Sequence, residues 1–352
     1  MKILIAGICG FAGSSIAKAL LHTHADLSIL GLDNFSRRGS ELNISKFSKF
    51  GIDLIRGDIR SQSDIDALTK VDWVIDCAAN PSVLGGLDGK SSSRQLMEHN
   101  LIGSINLLEY CKRHKAGMIL LSTSRVYSAS DLASLPVKSS DQCFKLNNFA
   151  ITGISSSGIS EDFPTTTPLS LYGASKLASE TLILEYGKCF DFPVWINRCG
   201  VLTGAGQFGK ADQGIFSFWI HSFRERRQLK YIGFNGTGHQ VRDALHPKDL
   251  ASLIYRQMLE PNWDAPKIIN VGGGIENSMS LKQLSDWCGK RFGPNEVVSS
   301  MEQRPMDAPW IVMDSSMARE AWDWAPQTQI ESILDEIAVH AEQNPDWLSF
   351  TT

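Results

Sequence analysis

A tyrosine and a lysine four positions apart, in the run Tyr172-Gly173-Ala174-Ser175-Lys176, are spaced to act together on a proton. Positions i and i+4 share one helix face, so the Lys176 ammonium can stand beside the Tyr172 phenol. A phenol titrates near pH ~10 in water, and a neighbouring cation favours its ionised form. Tyr172 then becomes a usable base at neutral pH. Alone, such a pair is more often an exposed helix couple; its place downstream of a second pattern outweighs that reading. Gly7-Ile8-Cys9-Gly10-Phe11-Ala12-Gly13 joins an apolar run to a helical stretch. Glycines there let the turn close and bring backbone N–H groups and a helix N-terminus against a pyrophosphate. Asp33 stands twenty residues beyond Gly13, at the end of the next apolar run. A carboxylate at that place accepts from adenosine ribose hydroxyls and repels a 2′-phosphate. Arg37 and Arg38 leave NADP open, since an arginine nearby can accept that phosphate; Asp33, followed by Asn34, favours NAD.

Placing these groups together needs strands that end along one edge. Residues 2–6, 27–32, 52–55, 73–78, 118–122 and 193–197 are short apolar runs, and helical stretches lie between them at 13–22, 64–70, 101–114 and 172–186. This alternation predicts an α/β fold, a Rossmann-type doubly wound parallel sheet. Residues 127–171 are rich in Ser, Thr and Pro with little periodicity, and read as a functional flap or an insertion. From Arg198 the pattern loosens, with Gly-rich turns at 204–209, 233–238 and 272–274 and helices near 215–227, 280–292 and 328–342. The expected division is a dinucleotide-binding domain over 1–197 and a smaller, irregular C-terminal substrate lobe over 198–352, with part of 240–275 returning to the first sheet.

Composition narrows the partners. The 352 residues allow about two domains at roughly 150 residues each. With 34 basic and 38 acidic side chains and a net charge of -4, the chain does not look like a nucleic-acid binder. Its densest basic patch is Arg224, Arg226 and Arg227, which reads as a solvated helix face. The seven cysteines never form a C-x-x-C pair, so neither a disulfide framework nor a metal site is expected. Cys9, Cys77, Cys111 and Cys189 fall in apolar segments and read as small buried hydrophobes in a reducing, cytoplasmic compartment. No apolar run approaches the ~18 residues of a membrane span, and glycines interrupt the apolar start before it could serve as a signal peptide.

The glycine spacing, G-x-x-G-x-x-G, resembles the extended short-chain dehydrogenase/reductase family. That resemblance implies a catalytic trio of Thr123, Tyr172 and Lys176, with Lys176 also near the cofactor ribose. Thr123 ends the run Leu120 to Tyr127 and would bond the substrate oxygen that gains and loses a proton; Ser122 is the alternative for that role and otherwise lies with the cofactor. The resemblance places Gly7, Gly10, Phe11, Ala12, Gly13, Asp33, Asn34 and Arg37 around the dinucleotide, Asp58 and Ile59 at the adenine, and Ala78 and Ala79 beneath the cofactor. Asn100 is the family's asparagine, and it also reads as the N-cap of the helix at 101.

Dehydratases of nucleotide sugars carry an acidic pair after the strand-end hydroxyl, where this chain has Ser124 and Arg125. Without those carboxylates, elimination has no general acid or base. The second lobe, with Gly206-Gln207-Phe208-Gly209, Gln213, Arg242-Asp243, His246 and Asn270-Val271-Gly272-Gly273, resembles the CDP-paratose (CDP-tyvelose) 2-epimerases. The likeness implies a nucleotide-sugar substrate: Arg242 and Arg304 on its diphosphate, Gln207 and Gln213 on its base, and Ser124 in the sugar site. Guanidinium forks suit phosphate. Arg242 could instead pair with Asp243, and the two glutamines could satisfy loop backbone. Val201 departs from the pattern, which has an asparagine there. His99, His239 and His246 read as structural. The expected reaction is NAD-dependent epimerisation at C2 of a CDP-linked deoxyhexose through a transient keto sugar, in O-antigen or polysaccharide biosynthesis. A UDP-sugar 4-epimerase is the alternative, and a non-catalytic dinucleotide sensor a third. The family also implies a homo-oligomer, a dimer or tetramer.

Overall fold

The computed structural model describes residues 1–352 except 88, 90, 260, 261 and 352. Five strands open the chain: β1 (Lys2–Ala6), β2 (Ser28–Asp33), β3 (Asp53–Arg56), β4 (Trp73–Asp76) and β5 (Gly117–Thr123). They lie in the order β5-β4-β1-β2-β3, extended past β5 by the strands Val194–Cys199 and Ile268–Val271 into a seven-stranded sheet. Every neighbouring pair is parallel. Strands of such a sheet are covered on both faces, which is why β1, β4 and β5 read as unbroken apolar runs. The winding reverses between β1 and β4. Ligands of doubly wound sheets bind in the crevice outside the strand ends at that reversal.

Residues 247–271 tie the late chain to this sheet. The helix Pro247–Leu259 packs on the helix Phe11–Thr23, and Ile268–Val271 forms the sheet edge. The rest of the second half has its own four-stranded sheet of Val201–Leu202, Val241–Leu245, Ser278–Ser280 and Trp310–Ile311. A separate apolar cluster joins Phe216, Trp219, Ile220 and Phe223 to Ile333, Leu334 and Ile337 across two helices.

One expectation, the burial of Cys189, needs correction. The segment 127–171, read as a functional flap or an insertion, is packed into the protein. Its Leu132, Leu135, Ile154, Ile159 and Phe163 share a core with Val241 and residues Trp310 to Met313. Main-chain bonds from Ile159 N–H to the Val312 carbonyl and from Phe144 N–H to the His239 carbonyl stitch it to the second lobe. Cys189 is exposed near the end of the helix Leu171–Phe190, whereas Cys9 and Cys111 are buried and Cys77 is partly so. No described helix is long and apolar enough to cross a membrane.

Candidate active site

The glycine turn is built by close backbone approach. Gly7 has φ +73°, and a Cβ on it would lie 2.8 Å from the Ala78 Cα just past β4. A Cβ on Gly13 would lie 2.4 Å from the Gly7 carbonyl oxygen. Gly10 sits at the N-cap of the helix Phe11–Thr23 with no side-chain cap, so the first N–H groups of that helix remain for an anion. Ala78 is the small residue that lets Gly7 approach, and Ala79 follows it.

Asp33 is nearly buried. Its carboxylate accepts the Cys9 N–H and the Phe35 N–H, each at 2.8 Å, and so fastens the glycine turn to the end of β2. Burial pushes this carboxyl up, and the backbone N–H groups oppose that. Asn34 donates to Asp58 at 3.0 Å, and Arg60 forks onto the same carboxylate. Burial raises the Asp58 carboxyl, but these bonds hold it well below the usual range. Ile59 packs under Gly103, and its carbonyl accepts from the Asn106 amide at 2.8 Å. These residues form one connected wall at the β1–β2–β3 side of the crevice, and together they fit a dinucleotide.

Asn100 does not cap a helix. It lies inside a π turn, Glu98–Ile102, that runs into the helix Gly103–His114. The wider turn aims its amide at two partners: the Asn80 backbone, with bonds of 2.8 and 3.1 Å, and the Ser175 hydroxyl at 3.1 Å. Ser175 in turn donates to the Tyr172 carbonyl, and Ser179 to the Asn100 carbonyl. Asn100 therefore ties the loop after β4 to the helix that carries Tyr172 and Lys176.

The structure distinguishes the two hydroxyls at the end of β5. Ser122 donates to Glu180. Thr123 lies close enough to the Tyr172 phenol to favour its ionised form. Tyr172 is 8% exposed, and burial pushes its phenol up to about 12, against Thr123 and the Arg125 charge, which favour ionisation. Lys176 is buried as well, which lowers its ammonium, while Asp76 and Glu180 hold it charged. Asp76 is fixed by the Ser104 hydroxyl at 2.8 Å and the Ala78 N–H at 3.1 Å.

Glu180 is a residue that sequence reasoning missed. It accepts from Ser122 and from the Arg198 fork, the latter at 2.7 Å, with both partners nearly buried. Arg198 also reaches the Tyr127 hydroxyl, which donates to Asn270 at 2.7 Å; the Asn270 N–H donates to Glu161 at 2.6 Å. The signal was present: Tyr172, Lys176 and Glu180 are spaced four by four on one helix face.

A cleft of about 440 Å³ opens between Ala129, Ser130 and Pro168 on one side and Phe234, Arg304 and Asp307 on the other. A smaller cavity beside it is lined by Arg125, Tyr127, Ser170 and Met306. Arg304 lines this cleft. Arg242 pairs with Asp307 at 2.6 Å, not with Asp243, and also donates to the Val241 and Ala308 carbonyls. Gln207 does not face the cleft: its amide is used inside its own loop by the Thr203 hydroxyl and the Leu202 carbonyl, both at 2.8 Å. Gln213 accepts from Arg37 at 3.0 Å, and Arg37 also donates to the Phe208 carbonyl. The Arg37 guanidinium thus bridges the loop after β2 to the second lobe. Ser124 is buried in the short turn after Thr123.

A glycine cradle at the reversal of a parallel sheet, beside a helix bearing Tyr172 and Lys176, defines a dinucleotide-dependent enzyme of the doubly wound class. Residues 3–272 match the NAD dependent epimerase/dehydratase family, and the chain belongs to that family. Its cofactor is NAD. A CDP-paratose 2-epimerase of Salmonella typhi is 30% identical over 349 residues, covering 93% of this chain and 95% of that protein. A UDP-glucuronate 4-epimerase of Thermodesulfobacterium geofontis is 25% identical, covering 97% of this chain and 96% of that one. A Bacillus cereus UDP-glucuronic acid 4-epimerase, solved in complex with UDP-glucuronic acid and NAD, has TM-score 0.79 and 25% identity, covering 97% of this chain and 99% of that chain.

Proposed function

We propose that the protein epimerises a nucleotide sugar at C2, with a CDP-linked deoxyhexose of the paratose or tyvelose type as substrate. The observation that carries this reading is the placement of Thr123, at the end of β5, beside the buried Tyr172 phenol, with Arg304 lining a cleft nearby. The likeness to the Salmonella protein supports C2 and the cytidine nucleotide.

Thr123 holds the reacting hydroxyl of the sugar, and Tyr172 takes its proton. Lys176, whose charged form burial disfavours and Asp76 and Glu180 favour, stands on the same helix face one turn on. The dinucleotide site around Gly7, Gly10 and Gly13 would hold NAD, which when bound would supply the hydride acceptor and donor for the same carbon. After the sugar turns over, Tyr172 returns the proton to the oxygen on the opposite face, so no net oxidation results. Burial of Tyr172 and Lys176 keeps water from the reacting oxygen. Arg304 meets the diphosphate, and Arg242, braced by Asp307, stands behind it. The residues proposed for the dinucleotide are Gly7, Gly10, Phe11, Ala12, Gly13, Asp33, Asn34, Asp58, Ile59, Ala78, Ala79 and Asn100.

NMR of the NAD-loaded protein with CDP- and UDP-hexoses in deuterated buffer tests this reading. Inversion at C2 of a CDP sugar supports it, and an unchanged panel sinks it. Inversion at C4 of a UDP sugar would establish the second reading, which the two 4-epimerase relatives favour. Full cellular function in a Tyr172→Phe variant would point to a non-catalytic dinucleotide sensor.

A further inference from the structure

Three arginines from distant parts of the chain converge on the segment Arg304 to Ala308. Arg125, in the short turn after Thr123, donates from its guanidinium to the Met306 carbonyl at 3.0 Å. Arg242 donates to the Asp307 carboxylate at 2.6 Å and to the Ala308 carbonyl at 2.9 Å. Arg304 belongs to the segment itself and lines the cleft. Asp307 is the one carboxylate of the segment, and Arg242 uses it. Among the described residues, neither Arg125 nor Arg304 forms a salt bridge, and Met306 supplies the one hydrogen bond made by the Arg125 side chain. A guanidinium fork has more N–H donors than one carbonyl can take, so Arg125 has donors to spare.

Met306 and Ala129 line both the cleft of Arg304 and the small cavity of Arg125, which sets the two side by side. The backbone of Arg125 fixes its place relative to the reacting groups. Its N–H donates to the Thr123 hydroxyl oxygen at 3.2 Å. Its carbonyl oxygen packs on the residue after Tyr172, where a Cβ at Gly173 would lie 2.1 Å from it. A cation is thereby held between Thr123 and the cleft of Arg304. In a hexopyranose, C2 is bonded to C1, which bears the diphosphate, whereas C4 lies across the ring. A sugar with its C2 hydroxyl on Thr123 therefore brings its sugar-linked phosphate to the side where Arg125 stands. With C4 there instead, the diphosphate lies across the ring and Arg125 meets only uncharged sugar groups.

We propose that Arg125 is a specificity-determining residue that binds the sugar-linked phosphate, while Arg304 takes the nucleoside-linked one, and so seats C2 rather than C4 at Thr123. The inference rests on the C2 reading and names the residue that enforces it. Guanidinium suits the task because its fork meets phosphate oxygens in pairs.

Calorimetry on the NAD-loaded protein compares CDP with CMP, two probes that differ by the second phosphate, and NMR reports which carbon of a CDP-hexose is inverted. Arg125→Gln should weaken CDP about tenfold and raise the KM of the inverted sugar, with CMP affinity and melting temperature unchanged. Arg304→Gln should weaken both nucleotides. Arg125→Lys keeps the charge without the fork and should lose about threefold on CDP alone; it carries the test if Arg125→Gln does not fold. Inversion at C2 by the wild type, with the CDP-to-CMP preference unmoved in the Arg125 variants, would overturn the proposal and leave the C2 reading standing. Equal weakening of CDP and CMP with a lowered melting temperature would also overturn it, leaving Arg125 a structural residue. Inversion at C4 would remove the C2 reading and the proposal with it.

Discussion

The two halves of the molecule hold their functional groups by different means. In the sheet half the glycine turn is fixed by main-chain approach: the space above Gly7 is closed by Ala78, and that above Gly13 by the Gly7 carbonyl. Asp33 there bonds backbone N–H groups of two separate loops. In the second lobe the key groups are long side chains, Arg242 on the strand Val241–Leu245 and Arg304 on a loop, and a single charged partner, Asp307, sets the direction of Arg242. A substitution in the glycine turn or at Asp33 therefore disturbs fold and cofactor together. One in the second lobe can alter substrate affinity while the fold stands.

The largest effect expected is that of Tyr172→Phe. It should lower kcat about a thousandfold with stability and bound NAD unchanged, checked by turnover and by the nucleotide that copurifies. A variant that loses NAD as well would extend the coupling of fold and cofactor from the glycine turn to the helix of Tyr172. Next is Glu180→Ala, which leaves Arg198 charged and unpaired in a buried site. It should cost about 3–5 kcal/mol of unfolding free energy in denaturant titrations, whereas an apolar replacement of both partners should recover much of that. Gly7→Ala should cost about 1–3 kcal/mol, because the new methyl meets the Ala78 backbone, and it should yield protein depleted of NAD. Arg304→Ala should raise the substrate Kd about tenfold, measured by calorimetry, with melting temperature and NAD content intact. If it loses stability instead, the two halves are less different than stated.

The smallest effect is a pH response confined to the second lobe. His221 and His340 meet at 3.3 Å, and burial pulls them down to about 3 and about 4. Both lie below the unfolded value of 6.5, so the stability they contribute is complete above that pH and is lost as pH falls toward 4 and then 3. Asp76 and Asp33 in the sheet half shift upward, with the opposite sign. Hydrogen exchange across pH 6.5 to 4 should therefore show the helices Ile215–Arg224 and Ile330–Gln343 opening before the central sheet. His340→Gln should reduce that early opening.

Legibility in the sequence follows the same division. The sheet strands could be read because burial on both faces demands unbroken apolar runs, and Gly7, Gly13 and Asp33 because backbone approach admits few residue types. The pairing of Arg242 with Asp307, sixty-five residues on, could not be read, since no local pattern links them. The strands of the second sheet are two to five residues long and owe their form to pairing more than to propensity. The helix Pro247–Leu259 went unread although Leu250, Leu253, Ile254 and Met258 carry its buried stripe. Asn100 was legible as a residue of interest but not as a bridge, because a π turn leaves no recognisable spacing.

The carboxylate of Glu180 joins pieces of chain that are far apart in sequence: the serine before Thr123, the helix of Tyr172, and Arg198 with its link through Tyr127 to Asn270. Anyone transplanting this site into another scaffold would have to carry all of those fragments in their mutual alignment. A graft limited to Thr123, Tyr172 and Lys176 would deliver the reacting groups without the frame that aims them.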